Sequence, residues 1–142
     1  MRRFAPAETL SDQVLLDCLA SFPYVRLEVT GECMAPALRP GDAVHVVRAS
    51  DRPPRFGDVV LVRLAEGLRL HRLVWPLFAT RRGGRRTRAD RGGGLDPAVP
   101  PCALLGTVVT VEGGGPPRRP SRAVTSLADV LRRKLRGPGR RP

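Results

Sequence analysis

The sequence predicts a small, mainly β domain with one short helix in front of it. Three observations carry that expectation. "YVRLEVTG", from Tyr24, alternates apolar and polar residues as a half-buried strand does. "RPGDAVHVV" sets a Pro-Gly-Asp turn before a strand, and "RFGDVVLVRL" repeats the device with Gly57 sixteen residues after Gly41. "ALLGTVVTVE" supplies a β-branched strand near residue 108. At 142 residues with 42% apolar content, the chain suits one domain with a modest core.

In chain order, Leu10, Val14, Leu15, Cys18, Leu19 and Phe22 recur at helical spacing, with Thr9 or Ser11 available as N-cap and Pro23 as terminator. The spacing predicts an amphipathic helix that packs on the domain, with Cys18 on its apolar face as a structural residue. Residues 1–23 form this helical segment and residues 24–112 the β domain. Within the latter, "LRLHRLVWPLFATRRGGRRTRAD" reads as two strands joined across Gly83 and Gly84, a pair suited to the positive φ of a hairpin turn. Residues 113–142 are a Gly/Pro linker and a tail in which "SLADVLRRKLRG" predicts a basic amphipathic helix, with Ser126 and Asp129 arranged like a capping box.

The net charge of +12 is concentrated. Arg81 to Arg91 holds six arginines against Asp90, and Ser121 to Pro142 holds six arginines and Lys134 against Asp129, so these two stretches carry 11 of the 12 net charges. Almost no aromatic residue lies between those arginines to stack a base, which ranks nucleic acid below other partners. The tail helix is suited to peripheral contact with an anionic membrane. Cys18, Cys33 and Cys102 are widely spaced and odd in number, which indicates neither a disulfide framework nor a thiolate metal site; no metal and no cofactor are expected. Glu8, Asp12 and Asp17 interrupt what would be the apolar part of a leader, and the longest apolar run, "LVWPLFA", is far shorter than the roughly 20 residues a membrane helix needs. The expected location is the cytoplasm or the periphery of the cytoplasmic membrane.

For peptide-bond chemistry a nucleophile needs a base and oxyanion donors. Lys134, the one lysine, lies beyond the linker, so a lysine base within the domain is excluded. The histidines are His45, in "DAVHVV", expected at a solvated strand position, and His71, in "LRLHRLV".

"GECMAPALRPGDAV", "FGDVVLV", "LHRLV", "TRADRGGGLDP" and "LLGTVV", in this order over residues 25–112, resemble the signal peptidase and LexA-like peptidase superfamily. Its pattern runs G-x-S-M-x-P-x-L-x-x-G-D, then G-D-hydrophobic, a Lys-Arg or His-Arg pair, T-K-G-D with a second Asp, and a closing L-G-x-V. The resemblance implies a domain of coiled, mostly antiparallel sheets. It implies Cys33 in the place of the nucleophilic serine, with Met34, Pro36, Gly41 and Asp42 shaping the turn behind it, and His71 as the base. It gives Asp96, six residues after Asp90, the role of orienting His71, with Asp90 structural. Gly31, Met34 and Pro36 fall at substrate-binding or oxyanion positions, the Cys33 backbone N–H serving as one oxyanion donor.

The departures are cysteine for serine, and Arg88 and Ala89 for the Lys and Gly of T-K-G-D. A Cys-His pair retains a chemistry able to attack a carbonyl. No Ala-Gly or Cys-Gly bond precedes Cys33, so self-cleavage is not expected. The expected function is an endopeptidase acting in trans on a protein, leader or signal peptide through Cys33, His71 and Asp96, with small residues near the cut. The alternative is an inactive relative that uses its basic segments to bind an acidic partner or nucleic acid.

Overall fold

The structure, a computed structural model, describes residues 10–76 and 83–113. The expected linker and tail helix, with Ser126 and Asp129, lie outside the described residues, as does Thr9. Helix α1 (Leu10–Ser21) is followed by strands β1 (Val25–Glu28), β2 (Ala43–Arg48), β3 (Val59–Leu64), β4 (Gly67–Trp75), β5 (Arg86–Arg88) and β6 (Leu104–Val111). They form one sheet in the order β1-β2-β6-β3-β4-β5, and every pairing is antiparallel. The mainly β expectation with a short leading helix is met.

Both Gly-Asp turns are built by the same bonds. The Asp42 carboxylate accepts the Arg39 N–H at 2.8 Å, and the Asp58 carboxylate accepts the Arg55 N–H at 2.8 Å. Gly41 and Gly57 sit at φ +91° and +89°, which a side chain would resist. Each turn then docks on a neighbouring segment. Gly41 N–H donates to the Val29 carbonyl and Val29 N–H to the Asp42 carbonyl, just as Gly57 N–H donates to Leu73 and Leu73 N–H to Asp58. The first turn therefore fixes the chain just before Cys33, and the second fixes β4 two residues after His71.

The sheet is amply covered on both faces. Leu19, Val29, Met34, Leu38, Val44, Val46, Val59, Leu61 and Val108 form one apolar cluster, while Val60, Val62, Leu64, Leu73 and Leu104 form a second. Period-two alternation along β3 feeds both. Register shifts at His45/Val46, Leu61/Val62 and Leu73/Trp75 mark bulges, which bend and twist the strands that carry them. That curvature matters for the site. In a flat sheet β1 and β4 would lie about 19 Å apart, at four strand spacings, yet both line one groove.

At Gly106, β6 packs tightly against β2. A Cβ there would stand 2.6 Å from Val46 Cγ1 and 2.9 Å from the Val47 carbonyl oxygen, and backbone cannot yield as a side-chain tip can. Gly106→Ala is expected to cost about 1–3 kcal/mol of stability, read from a urea unfolding midpoint. An unchanged midpoint would contradict this packing.

Three details depart from the sequence expectation. Val14 and Phe22 are 54% and 57% exposed, so the apolar stripe of α1 is narrower than its spacing suggests, and Leu19 is its residue buried in the core. Ser11 lies inside α1, which begins at Leu10, rather than capping it. His45 is half-buried: its ring stacks on Tyr24 at 5.0 Å between centroids, and its Nε2 lies 3.2 Å from Glu112. Arg26 completes that cluster, its Nε and Nη2 reaching Glu112 at 2.6 and 3.0 Å. The hydrogen bonds from Arg26 and then from His45 hold the Glu112 carboxyl down at about 2. This tie between β1, β2 and the end of β6 is therefore intact at neutral pH and weakens as pH falls from 4.5 toward 2.

Candidate active site

Four segments converge here: the turn after β1 carries Cys33, β4 carries His71 and Arg72, β5 carries Thr87, and the loop after β5 carries Asp90 and Asp96.

His71 is 7% exposed. Its Nδ1 lies 2.6 Å from Asp96 Oδ2, and the same oxygen accepts the Thr87 hydroxyl at 2.7 Å. An ionised carboxylate only accepts hydrogen bonds, so this contact puts the imidazole proton on Nδ1 and leaves the Nε2 lone pair available as a base. The Asp96 main chain is held as well: its N–H donates to the Thr87 carbonyl at 2.9 Å, and its carbonyl accepts Arg86 Nε at 3.1 Å.

Asp90 has a separate partner. Its two oxygens receive Arg72 Nε and Nη2 at 2.8 and 2.7 Å, and Arg72 Nη1 donates to the Gly57 carbonyl at 2.7 Å. Both side chains are almost completely buried, at 2% and 1% exposure. Such a bidentate pair is directional as well as strong. It locks the loop carrying Asp90 onto β4 and the second Gly-Asp turn, so Asp90 serves structure. The next residue extends that lock to the Cys33 turn, since Arg91 N–H donates to the Cys33 carbonyl at 3.0 Å and its guanidinium pairs with Glu32.

Cys33 is half-buried, and its Sγ lies 3.9 Å from the Leu70 carbonyl oxygen, one residue before His71. The thiol thus sits at the β4 edge, one residue along the strand from His71, with its hydrogen bond to the main chain and not to the imidazole. Burial pushes the thiol above its ordinary 9.0, and Asp96 and Asp90 add to the rise, while its own backbone N–H and Arg69 oppose it. At neutral pH the group is a neutral thiol, which needs a base to attack. In a His71→Ala variant, alkylation of Cys33 by iodoacetamide should therefore keep accelerating above pH 9. A plateau reached below pH 8 would contradict the buried neutral thiol.

Cys33 also lines an open groove of about 730 Å³ with Leu15, Leu27, Leu61, Leu68 and Leu70. Gly31 is on its exposed rim, and Met34, 1% exposed, belongs to both the groove and the core. Pro36 is exposed and is not on the groove wall. Alongside the groove, β5 pairs with Arg72, Leu73 and Trp75 of β4, and among the described residues no strand pairs with that edge at Leu68 or Leu70.

Two participants escaped the sequence reading. Thr87 is fully buried and holds Asp96. Its signal was its place at the head of "TRAD". Arg72 as the partner of Asp90 was signalled by a charged residue inside an otherwise apolar strand, since a buried charge requires a counter-charge. The described arginines of the 81–91 run do not form a solvated stripe. Arg85 and Arg88 are buried, Arg86 holds the Asp96 loop, and Arg91 holds the Cys33 turn. Among the described residues, no cluster of three or more His, Cys, Asp and Glu side chains suits a metal ion, and no helix is long and apolar enough to cross a membrane.

Comparison with protein-family models gives no match, and comparison with curated proteins gives none either.

Proposed function

We propose that the chain is an endopeptidase of the signal peptidase and LexA-like type that cuts a protein or leader peptide in trans. The observation that carries this reading is the buried hydrogen bond from His71 Nδ1 to Asp96 Oδ2, at 2.6 Å, on the strand whose preceding carbonyl touches the Cys33 thiol. A histidine fixed in one tautomer by a carboxylate, one residue along the strand from the carbonyl that a half-buried, groove-lining thiol contacts, has the parts of a nucleophile, base and orienter.

In the proposed reaction an extended peptide lies along the open β4 edge, with its scissile carbonyl at Cys33. Sγ attacks the carbonyl carbon as His71 Nε2 takes the thiol proton, and Asp96 stabilises the resulting imidazolium. The Cys33 backbone N–H donates to the developing oxyanion. When the tetrahedral species collapses, the C–N bond breaks and His71 returns the proton to the leaving amine. Water, deprotonated by His71, then attacks the thioester, releasing the acid product and restoring the thiol. This cycle consumes one water and needs no metal or cofactor. Because Cys33 must remain a free thiol, we place the activity in a reducing compartment, the cytoplasm or the cytoplasmic surface of its membrane.

The test is cleavage of a mixed peptide library by the purified protein, read by mass spectrometry. Product peptides that disappear with Cys33→Ala and with His71→Ala support the proposal. Cleavage that survives Cys33→Ala contradicts it, and absence of any cleavage favours the binding-only alternative.

A further inference from the structure

Four leucines from three separate elements, Leu15 on α1, Leu27 on β1, and Leu68 and Leu70 on β4, turn half-buried surface into the groove that Cys33 also lines. Among the described residues these four leucines stay half-buried and open to the groove. Val29, Met34, Leu38 and Leu61, all buried, line it as well. A peptide residue as small as alanine would leave most of this wall in water, whereas a leucine, isoleucine or methionine side chain would cover it.

Two features say that the occupant is an extended peptide. In a strand the N–H and C=O of one residue point to the same edge, and alternate residues share that edge. The Leu70 carbonyl faces the Cys33 thiol at 3.9 Å, so Leu68 and Leu70 direct their main-chain groups away from β3, at the stretch that β5 leaves uncovered. The groove is also continuous with the thiol, since Cys33 itself lines it. A segment pairing with that edge would place its alternate side chains against the leucines.

We infer that this groove selects its substrate by a bulky aliphatic residue, not a small one, close to the bond presented to Cys33. The inference rests on the endopeptidase reading for the identity of the bond, but the selection itself is a property of binding. It replaces the expectation of small residues near the cut.

The experiment uses the Cys33→Ala protein, which binds without turnover, and short fluorescent peptides that differ only in carrying Leu or Ala at one guest position, walked along the sequence. At the preferred position the Leu peptide should bind about tenfold or more tighter than its Ala counterpart, the discrimination an apolar pocket gives for a few carbon atoms. Leu27→Trp, which fills the groove from β1, should erase that difference, while Val14→Ala, at an exposed position on α1, should retain it and control for general destabilisation. Equal binding of Leu and Ala peptides at every position, or tighter binding of Ala, overturns the inference. A Leu preference in binding without cleavage by the unsubstituted protein sustains the groove's selectivity while removing the endopeptidase reading. Cleavage with no Leu preference does the reverse.

Discussion

Asp96→Asn is expected to lower the rate of peptide cleavage by about 10⁴-fold, the scale of loss when tautomer control is removed from a nucleophile-base-carboxylate site. The carboxylate accepts from His71 Nδ1 at 2.6 Å and so keeps the basic lone pair on Nε2. An asparagine amide nitrogen in the place of Oδ2, donating one N–H to the Thr87 hydroxyl oxygen and the other to Nδ1, would move the ring proton to Nε2 and remove the base. The two side chains have nearly the same shape, so the loop pinned to Thr87 and Arg86 should persist and stability should change little. Steady-state kcat alongside a thermal melt checks both halves. A rate within about threefold of the parent would show that Asp96 does not orient the base.

Asp90→Ala should act in the opposite way, through folding first. The Arg72 guanidinium is 2% exposed and takes its bidentate partner from Asp90, so the truncation leaves a buried charge without its carboxylate. Breaking one side of a buried pair costs about 3–5 kcal/mol, a large share of the stability of a domain this size. Urea unfolding measures it. Replacing both partners with apolar residues, Arg72→Met with Asp90→Leu, should recover much of the loss, because it is the orphaned charge that is expensive. If the single substitution costs less than about 1 kcal/mol, the pair is not what anchors the loop. The contrast between Asp90 and Asp96 is the sharpest division of labour in the molecule: two carboxylates six residues apart, one bound to arginine and one to histidine.

What was legible in the sequence was whatever local chemistry dictates. Gly41 and Gly57 before aspartates announce tight turns because the left-handed backbone and the Asp-to-N–H bond are both encoded within four residues. The strands β2, β3 and β6 were visible as β-branched runs for the same reason. The hairpin between β3 and β4 was not singled out: Leu64 pairs with Gly67 across Ala65 and Glu66, a connection with neither Asn-Gly nor Asp-Gly, and Gly67 takes φ +119° just after it. Of the Gly83-Gly84 pair, Gly83 alone has a positive φ, at +99°; a Cβ on Gly84 would lie 3.2 Å from that of Ala98, so close packing accounts for the second glycine.

The candidate site was legible in its residue types and spacing, but its assembly was not. No periodicity announces that Arg72 will meet Asp90, that Thr87 will share an oxygen of Asp96 with His71, or that Arg91 will tie the Cys33 turn to the loop after β5. These contacts depend on a curled sheet bringing β1 opposite β4. The exposed Val14 and Phe22 show the same limit from the other side, since helical spacing marks a potential apolar face and only packing decides how much of it is covered.

The most direct test of the account is to trap the acyl intermediate. The protein is incubated with a cleavable peptide, quenched in acid, and mapped by mass spectrometry, with the exposed thiol of Cys102 as internal reference for non-specific acylation. The expected result is peptide mass on Cys33, little on Cys102, and, in His71→Ala, none on Cys33 beyond that Cys102 background. Acylation of Cys33 that is no faster than that of Cys102, or that is unchanged by His71→Ala, would contradict the assignment of Cys33 and His71 as nucleophile and base.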